Sequence, residues 1–212
     1  MFLGKTIKSK DDGLKEHVNN FKRQEEEVKT LNEAFREYVA ALENIKTAEN
    51  RLMATWASNI QDWENLESFL QNAEAIKERR TTNVETLEKE VVVPMLTYKD
   101  QFAEMKGRID KCEAKRIEFD RCNYLLRQLE VTSGNSEEKV DEAKIKVDKS
   151  RDAYEALVSE LASELPDLYG ARREFFASNL QNLFTLQKCF HNDVSYIFRD
   201  MSEYVLVKLK ND

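Results

Sequence analysis

The chain has 212 residues but only five glycines and two prolines, far below the roughly 12 % that these two residues make up in average usage. Sandwiches, barrels and doubly wound sheets need a turn signal about every 8–12 residues, so the scarcity excludes them and leaves long helices. A formal charge of −7 excludes a general attraction to nucleic acid, while 41 % hydrophobic and 34 % charged residues are too apolar for a disordered chain and suit amphipathic helices with large solvated faces.

The first predicted helix follows Asp11-Asp12-Gly13, which reads as a capping signal. Its apolar positions Leu14, Val18, Phe21, Val28, Leu31, Phe35, Tyr38, Leu42, Ile45 and Leu52 keep a three-and-four spacing. Small polar residues cluster from Ala57 to Asp62, and Asp62 is the expected cap of the second helix. That helix carries Phe69, Ala73, Ile76, Val84, Leu87 and Val91, passes Pro94, and resumes with Met95, Tyr98, Phe102, Met105, Ile109, Cys112, Phe119, Leu126 and Leu129. Because the pattern continues past Pro94, the proline is expected to bend the helix and not to end it. Thr132-Ser133-Gly134-Asn135 is the strong stop, with Ser136 as the next cap. The third helix runs from Val140 through Leu161 and Leu165, crosses Pro166 as a second bend, and continues to Met201.

A helix from about residue 64 to 130 would be roughly 100 Å long, against a diameter of some 45 Å for a compact chain of this size. Three such helices form a thin antiparallel bundle that leaves apolar surface uncovered. Burying that surface at ~25 cal/mol per Å² favours a symmetric dimer.

Several short motifs then fall into one order. They are Asn20-Phe21-Lys22-Arg23-Gln24-Glu25, Thr97-Tyr98 with Gln101-Phe102 and Met105-Lys106, Glu164-Leu165-Pro166-Asp167-Leu168-Tyr169 with Arg172, and Asn179-Leu180-Gln181 leading to Phe190-His191-Asn192. Leu3-Gly4-Lys5 and Trp63 add to the series. In this order the chain resembles the BAR domain of the amphiphysin and bridging-integrator family over residues 3 to 205. The resemblance implies an all-α fold, an elongated, kinked antiparallel three-helix coiled coil that forms a crescent-shaped homodimer or heterodimer. It implies binding of curved anionic membranes by a basic concave face, with no cofactor and no enzymatic activity. The expected organisation is a short N-terminal segment over 1–11, a BAR domain over 12–208 and a tail over 209–212.

Candidate membrane-binding residues are Lys106, Arg108, Lys111, Lys115, Arg116 and Arg121 in the second helix, with Lys139, Lys144 and Lys146 in the third. Near an anionic leaflet each cation is worth ~1 kcal/mol, and Lys111 and Lys115 look like the family's concave lysines. Residues 99 to 130 nevertheless hold eight cations against seven carboxylates, and 136 to 165 hold five against nine. Cys112 and Ala114 stand where related sequences are typically basic, and the tip reads Ser133-Gly134-Asn135-Ser136-Glu137-Glu138 instead of a basic cluster. Lipid binding weaker than is typical of the family is therefore expected. Met1, Phe2 and Leu3 with Lys5 and Lys8 form a second, weaker candidate contact, in place of the longer amphipathic helix that begins N-BAR proteins.

Catalytic signals are thin. His17 and His191 have no nucleophile or Gly-rich loop beside them, and Cys189 and His191 lie two apart on a helix, facing different ways. Cys112, Cys122 and Cys189 lack CxxC spacing and read as reduced thiols. No apolar run reaches the ~20 residues of a membrane span. The expectation is a cytoplasmic protein, peripheral on membranes, without nucleic-acid partners and with no SH3 domain before the chain stops at Asp212. Its expected function is to sense or generate membrane curvature, in endocytosis or tubulation. The alternative is a weakly lipid-binding partner or regulator of a fuller relative.

Overall fold

A computed structural model describes the backbone of residues 2–64, 66–132 and 136–211, and the side chains of residues 13–207 within those stretches. The elements are α1 (Phe2–Asn59), α2 (Leu66–Leu87), a π-helical turn (Glu88–Val92), α3 (Val93–Val131) and α4 (Glu137–Asn211). The fold is all-α, with no strand among the described residues. Because α2, the π turn and α3 join without a break, the three expected helical runs are present.

Two boundaries differ from the sequence reading, each for a local reason. Helix α1 starts at Phe2 and passes straight through Asp11-Asp12-Gly13. A glycine costs a helix interior about 1 kcal/mol, but it ends the helix only by turning to positive φ, which Gly13 does not do. Asp62 does not cap the second run, which begins at Leu66; a tight turn comes first, closed by Ile60 N–H to Trp56 O (3.1 Å) and Trp63 N–H to Ile60 O (3.0 Å). At Pro94 the helix continues by means of a wider turn immediately before it. The Val93 N–H donates to Glu88 O, five residues back, so the turn takes up one extra residue. That gives room to a ring that clashes with the carbonyl four residues back in a tight α turn. Pro166 lies inside α4, which is continuous, and Ser136 starts that helix as expected, its carbonyl accepting from Lys139 N–H (3.1 Å) and Val140 N–H (3.4 Å).

Two compact units divide the chain. The first comprises residues 1–27 and 99–172, the second 28–98 and 173–212. In the first, Phe21 meets Phe102 (ring centroids 5.3 Å apart) and Phe119 stacks on Tyr154 (6.3 Å), around buried Cys112, Val158, Leu161 and Leu165. Pairing of Phe119 with Tyr154 and of Arg108 with Glu164 sets α3 and α4 antiparallel there.

In the second unit Phe35, Leu87, Val91, Val92 and Met95 form one core cluster, and Ile60, Phe69, Ile76 and Met201 another. The partners of α1 descend in number as α1 ascends, from Asn32 with Met95 to Glu49 with Arg80, which makes this packing antiparallel too. Two buried amides reach the carbonyls around Pro94. Asn179 Nδ2 donates to Val91 O at 3.0 Å, and Asn32 Nδ2 to Val28 O at 2.9 Å and Met95 O at 3.4 Å. This unit also leaves large apolar residues in solvent, among them Leu31, Tyr38, Ile45, Leu52 and Trp56 on α1 and Leu180, Phe184 and Phe198 on α4.

Candidate functional site

All the candidate cations with described side chains belong to the first unit, on α3 and the start of α4. Helical spacing decides which are neutralised. Arg116 is held between Glu113, one turn before it (2.6 and 2.9 Å), and Asp120, one turn after (3.4 Å). Lys115 reaches Glu118 at 2.6 Å and Lys144 reaches Asp141 at 3.0 Å, again along their own helices. Arg108 acts differently, binding Glu164 with both guanidinium branches and Glu160 at 3.1 Å, and so ties α3 to α4. Lys106 crosses to Glu25 of α1 at 3.1 Å.

The ionisation equilibria follow these contacts. Hydrogen bonds from Arg116 hold the Glu113 carboxyl below its usual range, and the Arg108 bonds do the same for Glu164. The Arg116 and Arg108 guanidiniums are pushed up in return, and Asp141 pushes Lys144 up. Each of these side chains is therefore firmly charged at neutral pH, but its charge is answered by a neighbour. Lys111, Arg121, Lys139 and Lys146 are exposed and make no ion pair among the described residues. They are the cations left available to an external anion. The side chains of Met1, Phe2, Leu3, Lys5 and Lys8 lie outside the described residues.

A groove of about 670 Å³ also opens in this unit, with Leu14, Phe21, Ile109 and Leu161 in its wall and Lys22, Glu25, Asp110 and Arg116 around it. Nothing in it pairs a nucleophile with a base. Among the described residues no cluster of His, Cys, Asp or Glu could hold a metal ion, and no helix is long and apolar enough to cross a membrane. His191 packs edge-on to Phe190 (5.1 Å), and Cys112 is buried.

Two motif residues, Arg23 and Tyr169, prove to fasten α1 to α4, a role their identities alone did not reveal. Arg23 donates to the Tyr169 hydroxyl at 2.5 Å, and Arg172 lies over the Tyr169 ring with its guanidinium carbon 3.4 Å from the centroid. In the other unit, Arg80 binds Glu49 in a forked pair and lies 5.1 Å from the centre of the Phe190 ring. Arginine suits such places because its planar fork can stack and bond at once.

Long helices packed antiparallel, with charged outer faces, define an all-α helical module. The BAR domain family model matches residues 2–205, and the chain belongs to that family. It is 28 % identical to chicken amphiphysin over 208 residues, covering 98 % of this chain and 30 % of that protein. The Candida albicans regulator of cytoskeleton and endocytosis is 23 % identical over 123 residues, 58 % of this chain and 47 % of that one. The amphiphysin BAR domain from Drosophila superposes with a TM-score of 0.86 at 27 % identity, covering 95 % of this chain and 94 % of that one. The chain thus spans about a third of the length of the amphiphysin it matches.

Proposed function

We propose that this chain is a membrane-curvature scaffold: a dimer whose free cations meet an anionic bilayer and impose or read its curvature, with Pro94 and Pro166 as points of bending. The observation that carries the reading is the likeness to the amphiphysin BAR domain in both sequence and fold, over nearly the whole chain. The exposed, unpaired Lys111, Arg121, Lys139 and Lys146 support it, because each cation near an anionic surface contributes ~1 kcal/mol. Met1, Phe2, Leu3, Lys5 and Lys8 would add a minor contact at the start of the domain. A role in endocytosis is favoured by the likeness to the Candida albicans regulator.

The test is co-sedimentation with vesicles rich in anionic lipid, at low and at physiological salt, with electron microscopy for tubules. Reversing Lys111 and Arg121 to glutamate is expected to weaken binding on the order of tenfold or more; unchanged binding would reject the electrostatic mechanism. A second reading, a heterodimer subunit or regulator of a fuller relative, is favoured by the internal neutralisation of Lys106, Arg108, Lys115, Arg116 and Lys144. Under that reading the same reversal leaves partner binding intact and vesicle binding is weak throughout.

A further inference from the structure

One outer face of α3, within the first unit, interleaves apolar and cationic side chains. Steps of three and four lead from Lys111 by way of Ile117, Arg121 and Tyr124 to Val131, with Leu125 one turn beyond Arg121, and residues so spaced share one side of a helix. The positions that complete the steps, Ala114 and Gln128, carry no charge. Every member is exposed, and the four large apolar side chains, Ile117, Tyr124, Leu125 and Val131, lie between 50 % and 83 % open to solvent.

The charges around this face leave it open to an anion. Glu113 and Asp120 border it on one side and Glu118 on the other. All three are already bound, the first two to Arg116 and the last to Lys115. Lys111 and Arg121 make no ion pair among the described residues. The face thus offers free cations and apolar side chains together, while the carboxylates at its edges are engaged elsewhere.

The interleaving decides what fits there. A partner helix laid over this face would take Arg121 out of water among four apolar side chains, which is costly unless that partner brings a carboxylate to the same spot. A lipid interface accepts the mixture as it stands. Arginine and lysine stems lie along apolar surface while their heads rise to the phosphates, and a tyrosine sets its ring at the apolar boundary and its hydroxyl in the wet layer. Isoleucine, leucine and valine go deeper, as on other helices that lie in the plane of a bilayer surface. We propose that this face of α3 enters the headgroup layer of an anionic bilayer, with Ile117, Tyr124, Leu125 and Val131 reaching the acyl boundary and Lys111 and Arg121 held at the phosphates. The proposal rests on the scaffold reading and adds to it a contact that charge alone does not supply.

Salt separates the two contributions, because screening weakens the attraction of exposed cations and leaves apolar burial in place. Ile117→Ser with Tyr124→Ser should weaken binding to anionic vesicles on the order of tenfold, by the same factor at low and at physiological salt. The loss caused by Lys111→Glu with Arg121→Glu should shrink as salt rises. Trp56 and Trp63 belong to the second unit, so the emission added by Tyr124→Trp reports on this face. On vesicles that added emission should shift to the blue and be quenched by lipids brominated on their acyl chains. Circular dichroism should show unchanged helicity, since the substituted positions are exposed. A serine variant that binds as the parent does, or an added tryptophan that bromine does not quench, overturns the insertion and leaves the scaffold reading standing. A parent chain that binds no anionic vesicle rejects that reading and the insertion with it. Loss of self-association by the serine variant in sedimentation equilibrium, with vesicle binding unchanged, gives the face to a second copy and likewise overturns the proposal.

Discussion

At the scale of single residues, buried amides and inter-helix arginines hold the packing that long helices need. Asn179 is buried and its side-chain amide donates to Val91 O, beside the turn that Pro94 requires. Asn179→Ala should cost about 1 kcal/mol, seen as a fall of roughly 2–4 °C in the melting temperature at fixed protein concentration. Gln181→Ala, exposed on the same helix, should leave the melt unchanged; equal shifts in both variants would count against a specific role for the amide. The Arg108 bonds to Glu164 carry a pH signature. Since the Glu164 carboxyl titrates below its usual 4.5 in the folded chain, its contribution is complete above that value and is lost as pH falls through the lowered one. The gap in melting temperature between the parent and Glu164→Gln should therefore be open at pH 7 and narrow as the pH falls below 4.5. A gap that stays constant through that acid range would show the stabilisation is not ionic.

Among the elements, the π turn is the feature that hydrophobic spacing could not reveal. The apolar series runs from Leu87 through Val91 to Met95 at ordinary intervals, and one extra residue of backbone is absorbed without moving a side chain off the core face. Deleting Lys89 should convert the turn to regular α-helix and be tolerated, with a melt within a few degrees of the parent. Deleting Thr82, in the middle of α2, rotates every later side chain by about 100° and should unfold the second unit. Circular dichroism melts of the two deletions, if alike, would remove the turn's special standing. The run through both prolines, the antiparallel order and the Ser136 start were legible because periodicity and capping are local signals. The start at Phe2 was not, since Gly13 and its two preceding aspartates have the composition of a cap whether or not the backbone turns there. Nor were the ion pairs across helices, because a list of cations does not say which carboxylates a neighbouring helix will bring, as Glu25, Glu160 and Glu164 are brought to Lys106 and Arg108.

For the whole molecule, family membership shifts the question from chemistry to association. The large apolar residues that α1 leaves exposed, Leu31, Tyr38, Ile45 and Leu52, make a definite demand on assembly: on the scaffold reading, Ile45→Glu should shift the dimer toward monomer in light scattering while leaving helicity intact, and a persistent dimer would place the contact elsewhere. The net charge of −7 takes on a different meaning once the ion pairs are seen. Lys115, Arg116 and Lys144 each hold a carboxylate one turn away on the same helix, so releasing it breaks no contact between helices, and such exposed pairs are worth little in water. On the scaffold reading proposed above, these side chains would act as loaded ion exchangers. A sparse scatter of lipid phosphates would leave the carboxylates in possession and a dense one would displace them together, so the expected bound fraction rises with anionic-lipid content as a threshold and not in proportion.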